Sequence, residues 1–130
     1  MPPQPVIYRD LDIKFQAHPV SGRIKMLENN DAITQAFKLL VFTDQYERLC
    51  QPDIYTNVRA LLFENLSETT SIIVNNYIKN ASSNYEKRVK ILDLEVLQSN
   101  DKQKIALKIT YAGINNLNNV TVVLFLDRLR

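Results

Sequence analysis

The chain has little of what most catalytic and binding motifs are built from. Its 130 residues include one cysteine, one histidine, two glycines and no tryptophan. One cysteine excludes an internal disulfide, and a single cysteine with a single histidine argues against a Cys/His zinc site. Cys50 is expected as a small buried hydrophobe, because no basic partner stands near it to activate a thiolate. Glycines only at positions 22 and 113 leave no phosphate-cradling loop. His18 sits in a turn before Pro19 with no serine or cysteine at motif spacing, so a nucleophilic triad has no support. The longest apolar runs, Leu39–Phe42 and Val122–Leu126, are far shorter than the roughly 20 residues that cross a bilayer. The opening Met1-Pro2-Pro3-Gln4-Pro5 lacks the basic and apolar regions of a signal peptide. It reads instead as a proline-rich extended arm over residues 1–7, ordered where something holds it.

A large excess of either charge is missing as well. Lys and Arg number 16 against 14 Asp and Glu, a balance too even for a protein that binds nucleic acid by neutralising phosphates. Hydrophobic residues make up 45% and charged residues 23%, the composition of a globular chain the size of one domain. The charge is graded along the chain: residues 1–30 sum to +1, 31–84 to −2 and 85–130 to +3. That gradient is either a sampling imbalance of solvated faces or suits packing against protein neighbours, basic face to acidic face.

Leu11, Ile13 and Phe15 alternate with Asp10, Asp12 and Lys14, the pattern of a half-buried strand. His18-Pro19-Val20-Ser21-Gly22 then turns the chain, and Arg23–Leu27 returns as a short strand. Asn30 or Asp31 is expected to cap a helix whose apolar stripe is Ile33, Ala36, Phe37 and Leu40. Leu39 and Phe42 fall off that stripe, so the helix is buried on two sides or meets a partner. Thr43–Tyr55 reads as a loop, and Asn57 caps a short helix over Val58–Phe63. Ser67 caps a longer helix to about Ser83, with Leu66, Ile73, Val74, Tyr77 and Ala81 inside and Ile72 pointing away.

From Val89 the period changes to two. Leu92, Leu94 and Val96 form one strand, Ser99–Lys102 a hairpin loop, and Ile105, Leu107, Ile109 and Tyr111 a second strand. Asn pairs at 115–116 and 118–119 are expected to supply left-handed turn positions before a third strand, Val120–Leu126. Its Val120, Val122, Leu124 and Leu126 share one face, while Val123 and Phe125 occupy the other. Such a strand is either covered on both faces or offers a docking edge to another chain's strand. The plan is α+β: an N-terminal extended arm and strand, two main helices plus a short one, and a C-terminal antiparallel three-stranded sheet.

Carboxylates at Glu47, Asp53, Glu64 and Glu86 are numerous enough for a glycosidase pair, but sequence spacing does not select one. Glu47-Arg48 and Glu86-Lys87-Arg88 set carboxylates beside cations, a pairing more often structural than catalytic.

Four stretches in order resemble the GPW/gene-25 (lysozyme-like) family of contractile-tail phage baseplate wedge proteins. Asp10-Leu11-Asp12-Ile13-Lys14-Phe15 with His18-Pro19 and Gly22 is similar to the family's opening. The helix from Ala32 to Thr43, then Glu47-Arg48 and Pro52-Asp53, resembles its helix, G-E-R and P-x-F-G run. Leu61-Leu62-Phe63-Glu64-Asn65-Leu66 matches its L-L-F-E-x-L segment, and Tyr85-Glu86-Lys87-Arg88-Val89 resembles its E-P-R core. Tyr46 replaces the glycine before Glu-Arg, and Ile54-Tyr55 replaces Phe-Gly, so the loop is expected to use other backbone angles. Lys87 replaces the proline of E-P-R, which predicts a looser helix–strand junction.

The resemblance, covering about residues 8–126, implies one baseplate wedge domain over 1–130 with a structural and non-enzymatic role. It implies packing with other baseplate wedge proteins in a sixfold assembly, and a C-terminal strand (Val120, Val122, Val123, Leu124, Phe125, Leu126) that starts the tail sheath by augmentation. It further implies a place in the virion tail baseplate, assembled in the host cytoplasm, with no cofactor, metal, nucleic acid, membrane or small-molecule substrate. Glu86 and Arg88 stand out as an ion-pair network at a subunit interface, and Glu47, Arg48, Phe63 and Glu64 as further interface contacts. The same resemblance leaves two alternatives, a peptidoglycan hydrolase and the related subunit of a type VI secretion machine.

Overall fold

The computed structural model describes residues 5–61, 67–98, 104–113 and 118–127. The elements in chain order are β1 (Arg9–Leu11), β2 (Met26–Glu28), α1 (Asn29–Phe42), α2 (Val58–Leu61), α3 (Glu68–Tyr85), β3 (Val89–Gln98), β4 (Lys104–Gly113) and β5 (Asn119–Asp127). This is the α+β plan read from the sequence. The chain divides into two compact units, Met1–Ala36 and Phe37–Arg130.

In the first unit β1 and β2 pair antiparallel, Asp10 opposite Leu27. The strand expected to run through Phe15 stops at Leu11. Asp12 accepts the Lys14 N–H at 3.0 Å on its side chain and the Phe15 N–H at 2.9 Å on its carbonyl, a local turn that competes with extended chain. Phe15 follows at φ 49°, and the alternation turns inside out: Asp12 is buried while Leu11, Ile13 and Phe15 are exposed. The expected turn at 18–22 is present and specific. His18 Nδ1 accepts the N–H groups of Val20 and Ser21 at 3.3 Å each, and Gly22, at φ 65°, donates to the His18 carbonyl at 2.9 Å. Only Met26–Glu28 of the return segment is strand, besides a single bridge between Ala17 and Ile24.

Two side-chain amides of α1 hold the extended chain. The helix starts at Asn29, ahead of the expected caps Asn30 and Asp31. Asn29 Oδ1 accepts from Ile7 N at 2.9 Å and Tyr8 N at 3.3 Å, and its Nδ2 donates to the Pro5 carbonyl at 3.2 Å. Buried Gln35 accepts the Ile13 N–H at 3.1 Å and donates to the Leu11 carbonyl at 2.7 Å. The near end of the proline-rich arm is therefore tied down by backbone groups that extended chain leaves unpaired.

In the second unit the sheet order is β3-β4-β5, all antiparallel. Ile105, Leu107, Ile109 and Tyr111 of β4 are all buried, as the alternation predicts. A bulge between Ile91 and Asp93 corrects the expectation for β3. Leu92 is its extra residue and is exposed, and the phase shift puts Val89 and Ile91 on the same face as Leu94 and Val96. Phe37 of α1 tilts onto Tyr111, ring centroids 5.7 Å apart. Ser67 caps α3 as expected, its Oγ accepting the Thr70 N–H at 3.2 Å. The buried stripe of that helix is Thr70, Val74, Ile78 and Ala81, so Ile78 takes the place expected of Tyr77, which is exposed. One residue on a helix is about 100° of rotation, enough to exchange the two. Ile73 is half-buried, and Ile72 is exposed as predicted.

Residues of α2, α3, β3 and β4, among them Val58, Val74, Val96 and Leu107, enclose a void of about 10 Å³, so the layers meet with little empty space. Leu66, the Ser99–Lys102 loop and the Asn115–116 pair lie outside the described residues. Asn119 is extended chain at the start of β5, whereas Asn29 and Asn57 adopt positive φ. Cys50 is exposed, at φ 67°, rather than buried, because its loop runs over the surface.

Leu107→Ala removes a fully buried side chain of the central strand and is expected to lower stability by about 2–5 kcal/mol. Ile72→Ala on the exposed face of α3 should stay within about 0.5 kcal/mol of the parent. Urea unfolding of both variants checks the contrast, and equal losses would show that the inner face of β4 or the outer face of α3 is misassigned.

Candidate functional site

Three features of the second unit gather the residues singled out by the sequence: the edge strand, the loop after α1 and the helix–strand junction. Strand β5 bonds to β4 and, among the described residues, to no other strand. On its inner face Val120, Val122, Leu124 and Leu126 stand opposite Tyr111, Ile109, Leu107 and Ile105. Burial deepens along it, from partial at Val120 and Val122 to complete at Leu124 and Leu126.

The outer face is different. Thr121 meets Thr110 with hydroxyls 3.2 Å apart, and Asp127 meets Lys104 at 3.5 Å. Between them Phe125 lies opposite Ala106, which in turn lies opposite Leu97, making an apolar row across all three strands. Phe125 is 68% exposed. An edge strand with exposed apolar side chains is a template for pairing with another chain unless charge or a bulge blunts it. Within the described part of β5, Asp127 supplies the only charge.

Beside this edge lies an open groove of about 730 Å³, lined by Phe42, Tyr46, Arg59, Ala60, Phe125 and Asp127 among others. Its wall is the loop over residues 43–56, whose ends are pinned together. Thr56 donates its N–H to the Thr43 carbonyl at 3.2 Å and its hydroxyl to the Val41 carbonyl at 2.6 Å. Glu47 Oε2 accepts the Asp44 N–H at 2.8 Å, and Tyr85 donates its hydroxyl to the Asp53 carbonyl at 2.7 Å. Asp44 also pairs with Arg59 at 3.4 Å, and the Arg59 guanidinium stands 6.0 Å from the Phe42 ring centroid. This fixed loop presents Tyr46 at 73% and Leu49 at 92% exposure. Tyr46 has φ 65°, a left-handed angle uncommon for a residue with a side chain of this size.

At the junction, Arg88 donates from Nε to Glu86 Oε1 at 2.6 Å and from Nη2 to Oε2 at 2.7 Å. Glu86 is buried, and the ion pair anticipated there is bidentate. The Glu86 N–H donates to the Ser82 carbonyl at 3.0 Å and the Val89 N–H to the Glu86 carbonyl at 3.2 Å. The junction is therefore a closed turn, not the loose link expected from losing the proline.

The sequence-derived residues thus separate into kinds. Glu86 and Glu47 hold local structure with their carboxylates, Arg48 is exposed, and Phe63 and Glu64 lie outside the described residues. Tyr46, Leu49, Arg59 and Leu97 escaped the sequence reading. Phe42 had already signalled the groove by lying off its helix stripe. Among the described residues no group of His, Cys, Asp and Glu is placed to hold a metal, and no helix is long and apolar enough to cross a membrane.

No protein-family profile matches the chain, and no curated protein matches it in sequence. Solved structures match it in fold. A proposed tail lysozyme from Geobacter sulfurreducens aligns with a TM-score of 0.68 at 18% identity, over 75% of this chain and 89% of that one. A chain of the sixfold-symmetrised anti-feeding prophage baseplate gives 0.64 at 13% identity, over 95% and 87%. A chain of the post-contraction pyocin R2 baseplate gives 0.64 at 16%, over 82% and 98%. At such identities the likeness is one of fold. The α+β plan expected from the sequence is the fold found here, and these three structures share it.

Glu86→Ala strips a partly buried guanidinium of its carboxylate and is expected to cost about 2–3 kcal/mol of stability. Glu86→Gln, which keeps one acceptor oxygen, should cost less. Chemical denaturation measures both, and a neutral Glu86→Ala would remove the pair from the account of the junction.

Proposed function

We propose that this chain is a structural, non-enzymatic subunit of a contractile-tail baseplate. In this reading it is a wedge protein that packs with other wedge proteins in a sixfold ring and receives a strand from the first tail sheath subunits along β5. The observation that carries the reading is the edge itself: a strand with apolar side chains on both faces, ending its sheet, with Phe125 exposed beside a groove. An added strand would pair its backbone with β5 and set alternate side chains over Phe125 or into the groove. The exposed Tyr46 and Leu49 supply a second apolar contact for a wedge neighbour. The shared fold of two baseplate chains supports the setting of a tail baseplate; assembly in the host cytoplasm is part of the same proposal. The related subunit of a type VI secretion machine is the alternative setting for the same structural reading.

A peptidoglycan hydrolase is the other reading, and the described name of the Geobacter structure favours it. Two of its candidate carboxylates are already occupied. Both oxygens of Glu86 face Arg88, and Glu47 Oε2 holds the Asp44 amide. Purified protein is expected to release no glycan fragments from peptidoglycan, and release that Asp53→Asn abolishes would replace the structural role with an enzymatic one.

Val123→Lys with Phe125→Lys places charge on the exposed face of the edge strand and leaves its buried face intact. The double variant is expected to fold and to recover about tenfold less sheath subunit on co-purification. Undiminished recovery would count against β5 as the docking edge.

A further inference from the structure

A second surface on this unit has a different chemistry from the apolar edge. Where α3 ends and β3 begins, a cleft of about 460 Å³ is lined by Lys79, Ser82, Ser83, Lys87, Val89, Lys90 and Ile91. The three lysines are exposed, and no acidic side chain lines the cleft. The carboxylate nearest in sequence, Glu86, is turned inward and held by Arg88. The C-terminus of α3 contributes about half a negative charge, which three ammonium groups exceed. Among the described residues none of the three lysines has a carboxylate within ion-pair distance. The floor is apolar, with Val89 buried and Ile91 half-buried.

We propose that this cleft binds an acidic segment of a neighbouring protein, one that sets carboxylates on the lysines and an apolar side chain over Ile91. Charge complementarity selects the occupant. Three cations around an apolar floor suit a short peptide stretch, whereas a nucleic acid would need a longer basic track than a chain of net charge +2 offers. The segment comes from an assembly neighbour, so the inference rests on the structural role proposed above. Its test does not, because it needs only this chain.

The test is binding of a fluorescein-labelled peptide of alternating Asp/Glu and Leu to the whole chain, followed by anisotropy. The intact protein should bind it, and the K79E/K87E/K90E variant should bind about tenfold or more weakly. A variant of equal net charge, K14E/R23E/K25E in the first unit, should bind as the parent does. A single-stranded DNA oligonucleotide should bind more weakly than the peptide. Thermal unfolding confirms that the reversed variant folds, and should it not, K79Q/K87Q/K90Q is expected to show a smaller loss at the same site. The proposal is overturned if the parent ignores the peptide, if both charge-matched variants lose binding equally, or if DNA binds more tightly than the peptide. Peptide binding that survives while co-purification with baseplate proteins fails would refute the setting and keep the cleft.

Discussion

Strand β4 is the constraint on which the second unit depends. Four of its side chains, Ile105, Leu107, Ile109 and Tyr111, leave water on one face, and both of its edges are taken by β3 and β5. Burial of each such side chain stabilises the fold by roughly 1.5–3 kcal/mol. That gain fixes the register of both neighbours, because a slip of one residue would turn the apolar face outward. The bulge in β3 shows the strength of the demand. Leu92 is pushed out so that Val89, Ile91, Leu94 and Val96 all reach one face. With β4 saturated, β5 is left as an edge.

What the sequence made legible follows from how local each cause is. The alternation of β4 and β5 is a period over many residues, and both strands lie where it puts them. The Ser67 cap and the turn at His18–Gly22 are set by side chains within three residues of the groups they bond. The misreadings have causes farther away or finer in scale. Leu11–Phe15 alternates like a strand, yet Asp12 bonds the chain two residues on and ends it. Tyr77 and Ile78 differ by one step of a helix, and only packing decides between them. Asn29 acts as a tether because residues 5–8 return to it, which no local pattern announces.

The candidate site was half legible for the same reason. The apolar outer face of β5 could be read directly, but the Leu97–Ala106–Phe125 row depends on register across three strands. The groove beside it depends on a loop pinned at Thr43 and Thr56, residues with no motif to mark them. Glu86 and Arg88 drew notice as charges fit for an interface, and the structure spends them mostly on each other. Their pairing closes the turn that brings Lys79, Lys87 and Lys90 to one cleft. The junction is thus closed by a local ion pair and presents three lysines, and the unit offers two chemically distinct surfaces, one apolar and one basic.

The central claim is that β5 is an open edge awaiting another chain's strand. Amide hydrogen exchange over residues 119–127 tests it most directly, comparing the free chain with the chain assembled with the baseplate and sheath partners proposed for it. The account predicts that a subset of these amides exchanges rapidly in the free chain and becomes strongly protected on assembly, while the β4 amides stay protected throughout. Unchanged exchange along β5 in the assembled particle would contradict it.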